Sequence, residues 1–212
     1  MAKVNIINKE ICMWDIVLAT SNKGKIKEFN AIAKAIPGVR FIPQEELGVQ
    51  PIEEVGLTFY ENAIAKARHA CEQTGKPAIA DDSGLSVPAL GGAPGIISAR
   101  YAHKNATDQE NVDCLLTNMQ GLCDDDRYAC FHSVVVLLSH FDHPFPNIFE
   151  GVWEGQVLDT PQGDSGFGYD PVFYVPTHDC SAAELDLDVK NEVSHRGQAM
   201  QDFSMFMSEV LE

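Results

Sequence analysis

The stretch Leu18–Phe29, LATSNKGKIKEF, gathers three lysines (Lys23, Lys25 and Lys27) at what reads as the mouth of a helix, in a chain of formal net charge −16. A strand, a turn of small polar residues (Thr20, Ser21, Asn22) and a helix N-terminus together make an anion site. Free backbone N–H groups and the positive end of the helix dipole point the same way. The spacing is not that of a Walker loop, because Ile26 rather than Ser or Thr follows Lys25. A capped helix with solvated lysines fits the same residues, so this stretch alone leaves both readings open.

IADDSGL is sharper. Asp81 and Asp82 stand side by side after an apolar run, an arrangement that is costly unless a cation compensates it. Mg²⁺ suits such a site, since it takes one or two carboxylates and completes its shell with water and phosphate oxygens. In extended backbone the two carboxylates point to opposite sides, so one faces a cleft and the other supports it. Glu53 or Glu54, just upstream of the next helix, can add a further carboxylate. A plain reverse turn explains Asp-Asp-Ser-Gly equally well on local grounds.

Three further groups carry possible chemistry. Asn62, Lys66, His69 and Gln73 form a polar stripe at helical spacing, either a wet face or one wall of a cleft with Lys66 reaching a phosphate. GFGYDPVF sets Phe167 and Tyr169 among glycines, where a ring can stack on a planar base or pack inward. KNEVSHRGQA places Lys190, Ser194, His195 and Arg196 near the start of the last helix, where basic residues oppose the dipole and a ligand-facing role gains weight.

The elements that must position these groups are legible in outline. IVLAT reads as a buried strand, followed by a helix that Pro37-Gly38 stops, and VRFIP as a second strand. Thr58-x-x-Glu61 and Thr107-x-x-Glu110 are capping boxes for helices ending near Gly75 and residue 119. PAIADDSGLSV predicts a strand that breaks at the carboxylates. YACFHSVVVLLSH and NIFEGVWEGQVLD predict long strands joined at FDHPFP. Ser181 and Glu184 suggest a short capped helix, and a last helix from about Gly197 buries Ala199, Phe203, Phe206, Met207 and Val210. Early alternation of strand and helix, then paired strands, predicts an α/β fold on a mixed sheet with a cleft where the loops gather.

At 212 residues, 45% apolar and 22% charged, the chain predicts one soluble domain over residues 14–212, with 1–13 a loose extension that lacks the apolar run of a signal peptide. No segment offers the ~20 continuous apolar residues of a membrane span. The sequence pI of about 4.7 argues against direct nucleic-acid or anionic-membrane binding, so any anion site must be local. Six scattered cysteines without a CxxC pair fit reduced thiols in a cytoplasmic protein.

The order of the motifs is more specific than any one of them. TSNKGKxKE, EExGxTFxENAxxKA, ADDSGL, GGAPGIxSARY, GFGYDPxF and SHRGQA follow one another across residues 15–211. Together they resemble the inosine triphosphate pyrophosphatase family, and within it the bacterial branch that acts on dITP and XTP. The resemblance implies an elongated, two-lobed α/β fold around a long mixed sheet with flanking helices and a central substrate cleft. It also implies a homodimer and Mg²⁺-dependent hydrolysis of deaminated purine triphosphates (ITP, dITP, XTP) to the monophosphate and pyrophosphate, clearing them from the nucleotide pool. Carried over by motif, Thr20, Ser21, Asn22, Lys23, Gly24 and Lys25 match the triphosphate loop, and Lys66 a phosphate-contacting, catalytic lysine. Asp82 matches the catalytic carboxylate and metal ligand, Ser83 a substrate contact, and Glu53 or Glu54 a further metal ligand. Phe167, Gly168, Tyr169, Asp170, Lys190, His195 and Arg196 match the base pocket. The competing chemistry, a serine hydrolase using Ser83 with His195, lacks the G-x-S-x-G elbow.

Overall fold

The computed structural model describes residues 13–34 and 36–211. Of the expected extension only Met13 falls within that range, and it is exposed; Met1–Cys12 lie outside the described residues. Strand β1 (Trp14–Leu18) leads into helix α1 (Lys23–Ala33), whose start is fixed by Asn22 accepting the Lys25 N–H at 3.0 Å. β2 (Val39–Pro43) returns parallel to β1. Helix α2 (Phe59–Thr74) opens on the Thr58–Glu61 capping box and closes at Gly75 in the left-handed conformation. It delivers the chain to β3 (Ala78–Ser86), also parallel to β1. Both parallel connections carry a helix, as such crossovers require.

From β3 onward the sheet turns antiparallel. After α3 (Asp108–Asn118), opened by the Thr107–Glu110 capping box, come the long strands β4 (Tyr128–Leu138) and β5 (Asn147–Val157). The short β6 (Phe173–Val175) and β7 (Cys180–Ser181) then precede α4 (Leu187–Val193) and α5 (His195–Leu211). The sheet order is β2-β1-β3-β4-β5-β6-β7, a mixed seven-stranded sheet with flanking helices. Among the described residues no helix is long and apolar enough to cross a membrane.

Strand alternation divides the core. On one face Ile16 and Leu18 join Phe29, Phe41, Phe149, Phe203 and Met207 under α1 and α5. On the other, Val17 and Ala19 join Ala63, Ala67, Ala70, Val134 and Val136 under α2. A third cluster, with Leu85, Leu115, Phe131, Trp153 and Phe173, fills the far ends of β3, β4 and β5 against α3. The cleft opens where these clusters meet.

Four local expectations change. Asp81-Asp82-Ser83-Gly84 is not a turn: β3 runs straight through it, because β4 pairs with every residue from Ala78 to Ser86. No helix starts at Ser181. That residue ends β7, and although Glu184 does accept the Ser181 N–H at 2.8 Å, the helix waits until Leu187. α5 starts at His195 rather than Gly197, its first turn held by Ser194 Oγ accepting the Gly197 N–H at 3.1 Å. Val210 is exposed rather than buried. The early start of α5 depends on Gly151 in β5, where a side chain would collide with the His195 carbonyl.

Candidate active site

The C-terminal end of β1, the first turn of α1, one face of α2, the middle of β3, the Gly166–Asp170 loop and the start of α5 enclose a cleft of about 280 Å³. β3 is its floor. Because successive strand residues face opposite ways, Asp82 lines the cleft while Asp81 turns behind it and is fully buried.

Asp82 is held by α2. Asn62 Nδ2 donates to Asp82 Oδ2 at 3.0 Å, and Lys66 Nζ to Asp82 Oδ1 at 3.1 Å. The same ammonium reaches Glu54 Oε1 at 2.6 Å and the Asp81 carbonyl at 2.8 Å. Burial raises the Asp82 pKa, with Lys66 working against the shift. Burial would lower that of Lys66, but Asp82 and Glu54 together outweigh it and raise it. The polar stripe of α2 is thus a cleft wall at Lys66 and His69, while Asn62 is buried beneath Asp82 and Gln73 is exposed.

Behind the floor runs a buried chain of alternating charges. Lys25 Nζ sits 2.6 Å from Asp81 Oδ2, and Arg196 Nη2 3.1 Å from the same oxygen. Arg196 Nη1 donates to Glu28 Oε2; Lys190 Nζ donates to Glu28 Oε1 at 2.8 Å and to Asp170 Oδ2 at 2.6 Å. Burial alone would raise the Asp81 pKa, but Arg196 and Lys25 hold it well below the usual carboxylate value; Arg196 and Lys190 likewise keep Glu28 ionised. Burial lowers the Lys25 pKa against the pull of Asp81. Nothing in the sequence marks Glu28 as buried: in K-I-K-E it reads as a solvated helix residue, and only its tertiary partners reveal it.

The Gly166–Asp170 loop is tied down at two consecutive amides. Asp170 Oδ2 accepts the Phe167 N–H at 2.8 Å, and Asp108 Oδ2, at the start of α3, accepts the Gly168 N–H at 2.7 Å. Phe167 presents its ring to the cleft, with Lys190 Nζ 4.9 Å and Arg196 Cζ 5.8 Å from its centroid. Tyr169 instead packs inward and donates to the Ser98 carbonyl at 2.8 Å. His195 stacks on Phe131 at 4.7 Å and 7°. Burial, with Arg196 nearby, depresses its pKa well below the usual imidazole value, so it is neutral. His195 Nδ1 and Arg196 Nε are buried without a hydrogen-bond partner.

Of the residues that the resemblance matches to the site, the structure brings Thr20, Ser21, Asn22, Lys25, Glu54, Lys66, Asp82, Ser83, Phe167, Gly168, Tyr169, Asp170, Lys190, His195 and Arg196 to one cleft. Three stand outside its lining. Lys23 is exposed; Gly24 backs the Phe167 ring; Glu53 is exposed and pairs with Lys104 at 3.4 Å, which leaves Glu54 as the carboxylate beside Asp82. Glu28, Asp108 and Ser133, whose Oγ donates to Asp81 Oδ1 at 2.6 Å, are the participants that sequence reasoning left without a site role. Ser83 Oγ bonds Asp81 Oδ2 at 3.2 Å and accepts from Arg196 Nη2 at 2.9 Å, so it has no imidazole base, against a serine hydrolase.

Among the described residues no group of three or more His, Cys, Asp and Glu side chains could hold a metal ion. The Asp82–Glu54 pair, bridged by one ammonium, does fit an ion that takes two carboxylate oxygens and draws its other ligands from water and phosphate. Five described cysteines (Cys71, Cys114, Cys123, Cys130 and Cys180) are free thiols.

A model described as the Ham1 family matches residues 16–206. The chain is 51% identical over 197 residues to a Coxiella burnetii protein named dITP/XTP pyrophosphatase, covering 93% of this chain and 98% of that one. It is 55% identical over 190 residues to the Yersinia pestis protein of the same name, covering 89% and 95%. Among solved structures, a HAM1 protein from Coxiella burnetii superposes with a TM-score of 0.85 at 51% identity, covering 93% of this chain and all of that one. The Staphylococcus aureus Ham1 protein gives 0.80 at 38% identity, covering 92% and 99%.

Proposed function

This chain belongs to the Ham1 family, and on that premise we propose that it is an Mg²⁺-dependent enzyme hydrolysing dITP, ITP and XTP to the monophosphate and pyrophosphate. The observation that carries the reading is the single cleft shared by Lys25, Lys66, Asp82 and the start of α1. A polyanion entering there meets the N-terminal end of α1 and two ammonium groups.

In this mechanism Lys25 and Lys66 hold the triphosphate, and Asp82 takes the proton of a water molecule aligned on the α-phosphorus. The new P–O bond forms as the α–β bridging oxygen departs with pyrophosphate, without a covalent enzyme intermediate. Asp82 and Glu54 are the residues that would hold Mg²⁺, which supplies neutralisation of phosphate oxygens. Asn62 keeps Asp82 from rotating. Phe167 stacks on the base, and the buried, unpartnered Arg196 Nε and His195 Nδ1 are the polar atoms that would read a purine's position-6 group. A 6-carbonyl accepts from Arg196, whereas the amino group of adenine leaves that buried donor unpaired, a mismatch worth orders of magnitude in kcat/KM. We extend the reading to one catalytic domain over residues 14–212, acting as a cytoplasmic homodimer that keeps these nucleotides out of DNA and RNA.

Pyrophosphate release measured across ITP, XTP, dITP, ATP and GTP, with and without Mg²⁺, tests the assignment. The expected result is rapid release from the first three and slow release from ATP, abolished by chelation. An equal rate on ATP, or full activity without a divalent ion, would overturn it.

A further inference from the structure

We infer that Gly24 is a positioning residue: its missing side chain lets the Phe167 ring lie against the first turn of α1, so that base stacking and phosphate binding share one contact. The inference rests on the pyrophosphatase reading and deepens it.

Gly24 is the second residue of α1, and its glycine is not required by its own backbone, which is not in the left-handed region that favours glycine. Inside a helix glycine is disfavoured relative to alanine. The demand comes from outside. A Cβ built on Gly24 would stand 2.5, 2.7 and 2.8 Å from three carbons of the Phe167 ring, closer than any carbon pair tolerates. The ring has little freedom to retreat. Its own N–H is tied to Asp170 and the next N–H to Asp108, while Lys190 and Arg196 stand at 4.9 and 5.8 Å from its centroid.

The contact therefore fixes where a stacked base sits relative to the turn that holds the phosphates. Gly24 lies between Asn22, which caps α1, and Lys25, which anchors to Asp81. Any residue larger than glycine there pushes Phe167 out of register with the phosphate subsite while leaving both subsites chemically intact.

A double-mutant cycle tests this. Gly24→Ala, Phe167→Ala and the double variant are compared with the wild-type chain for pyrophosphate release from ITP. Gly24→Ala is expected to raise KM about ten-fold or more, with a smaller change in kcat, as a displaced positioning group does. In the Phe167→Ala background the same substitution should change KM less than about two-fold, because the colliding partner is gone. Melting temperatures of the four proteins read the cycle without substrate: Gly24→Ala lowers the midpoint only when Phe167 is present. Should Gly24→Ala fail to fold, Phe167→Ala must restore folding, and absence of rescue overturns the inference. No effect of Gly24→Ala in the wild-type background, or an equal effect in both, also overturns it. A wild-type chain that releases no pyrophosphate from any of the five triphosphates instead removes the pyrophosphatase reading, and this inference with it.

Discussion

Glu28→Gln is the most direct probe of the buried charge chain. The side chain keeps its shape and loses its charge. Glu28 holds Lys190 through one oxygen and Arg196 through the other, and it is 3% exposed. Each cation keeps another carboxylate, Lys190 with Asp170 at 2.6 Å and Arg196 with Asp81 at 3.1 Å. The full penalty of about 3–5 kcal/mol for stranding a buried charge is thus an upper bound. The amide oxygen still accepts one bond, while the NH₂ group faces a cation, so one charge-assisted bond is lost outright and the other weakened. At about 1.5–3 kcal/mol for a hydrogen bond to a charged group, the expected loss is about 3 kcal/mol. For a domain of this size that lowers the melting temperature by about 6–12 °C. Thermal unfolding followed by circular dichroism at pH 7, in low and in high salt, measures it. Buried pairs are screened little, so the shift should survive salt. A shift below about 2 °C, or one that salt abolishes, would refute the claim that these ion pairs brace the cleft wall.

Three further outcomes follow from the site. Asp82→Asn should cut pyrophosphate release by about 10³-fold or more while ITP still binds, since the amide accepts no proton from water; near wild-type kcat would remove the catalytic role. Glu54→Gln should raise the Mg²⁺ concentration for half-maximal rate about ten-fold or more, whereas Glu53→Gln, altering an exposed pair with Lys104, should leave it within about two-fold; equal effects would deny the distinction. His195 stays neutral in the fold and titrates near 6.5 when unfolded, so its contribution is present above about pH 6.5 and is lost as pH falls toward its depressed folded value. His195→Gln should flatten the decline in stability between about pH 6.5 and 5, leaving the part from His132, whose pKa burial also lowers, and from the ion-paired carboxylates as pH nears their unfolded values; an unchanged slope in chemical denaturation would reject it.

What sequence made legible was local or periodic. The Thr58 and Thr107 capping boxes place two helices correctly, because each motif satisfies its own backbone donors within one turn. The strand-to-helix passage at Thr20–Lys25 was readable for the same reason. The break expected at Asp81–Gly84 does not occur: turn chemistry is judged from a few neighbours, whereas the extended form is imposed by pairing with β4, some fifty residues away. Tyr169 and Phe167 share one glycine-rich loop and part company only in three dimensions, the Tyr169 hydroxyl donating to the Ser98 carbonyl while the Phe167 ring lies beside Lys190 and Arg196. Glu28 became visible only once Arg196, from the far end of the chain, was in place between it and Asp81.

The charge of the cleft also revises the first question the sequence raised. Lysines near a helix mouth suggest a positive pocket, yet the cations that line it (Lys25, Lys66, Lys190 and Arg196) are matched one for one by Glu54, Asp82, Asp108 and Asp170. Asp81 and Glu28 stand directly behind, and Arg100, paired with Glu54 at 3.5 Å, offsets only one of them. Counting histidines as neutral, the surroundings are at best uncharged, with every lining cation already engaged by a carboxylate. A triphosphate entering without a metal must compete with those carboxylates for Lys25 and Lys66. A divalent ion on Asp82 and Glu54 would cancel the two charges that hold Lys66 and free it for phosphate. Affinity for a non-hydrolysable ITP analogue, measured by calorimetry, should therefore rise about ten-fold or more on adding Mg²⁺, within the range of an ordinary coupling free energy. By reciprocity the analogue should tighten Mg²⁺ binding by the same factor. Equal analogue affinity with and without Mg²⁺ would mean that the lysines need no such release, and the pairing seen around Lys66 would then be incidental to binding.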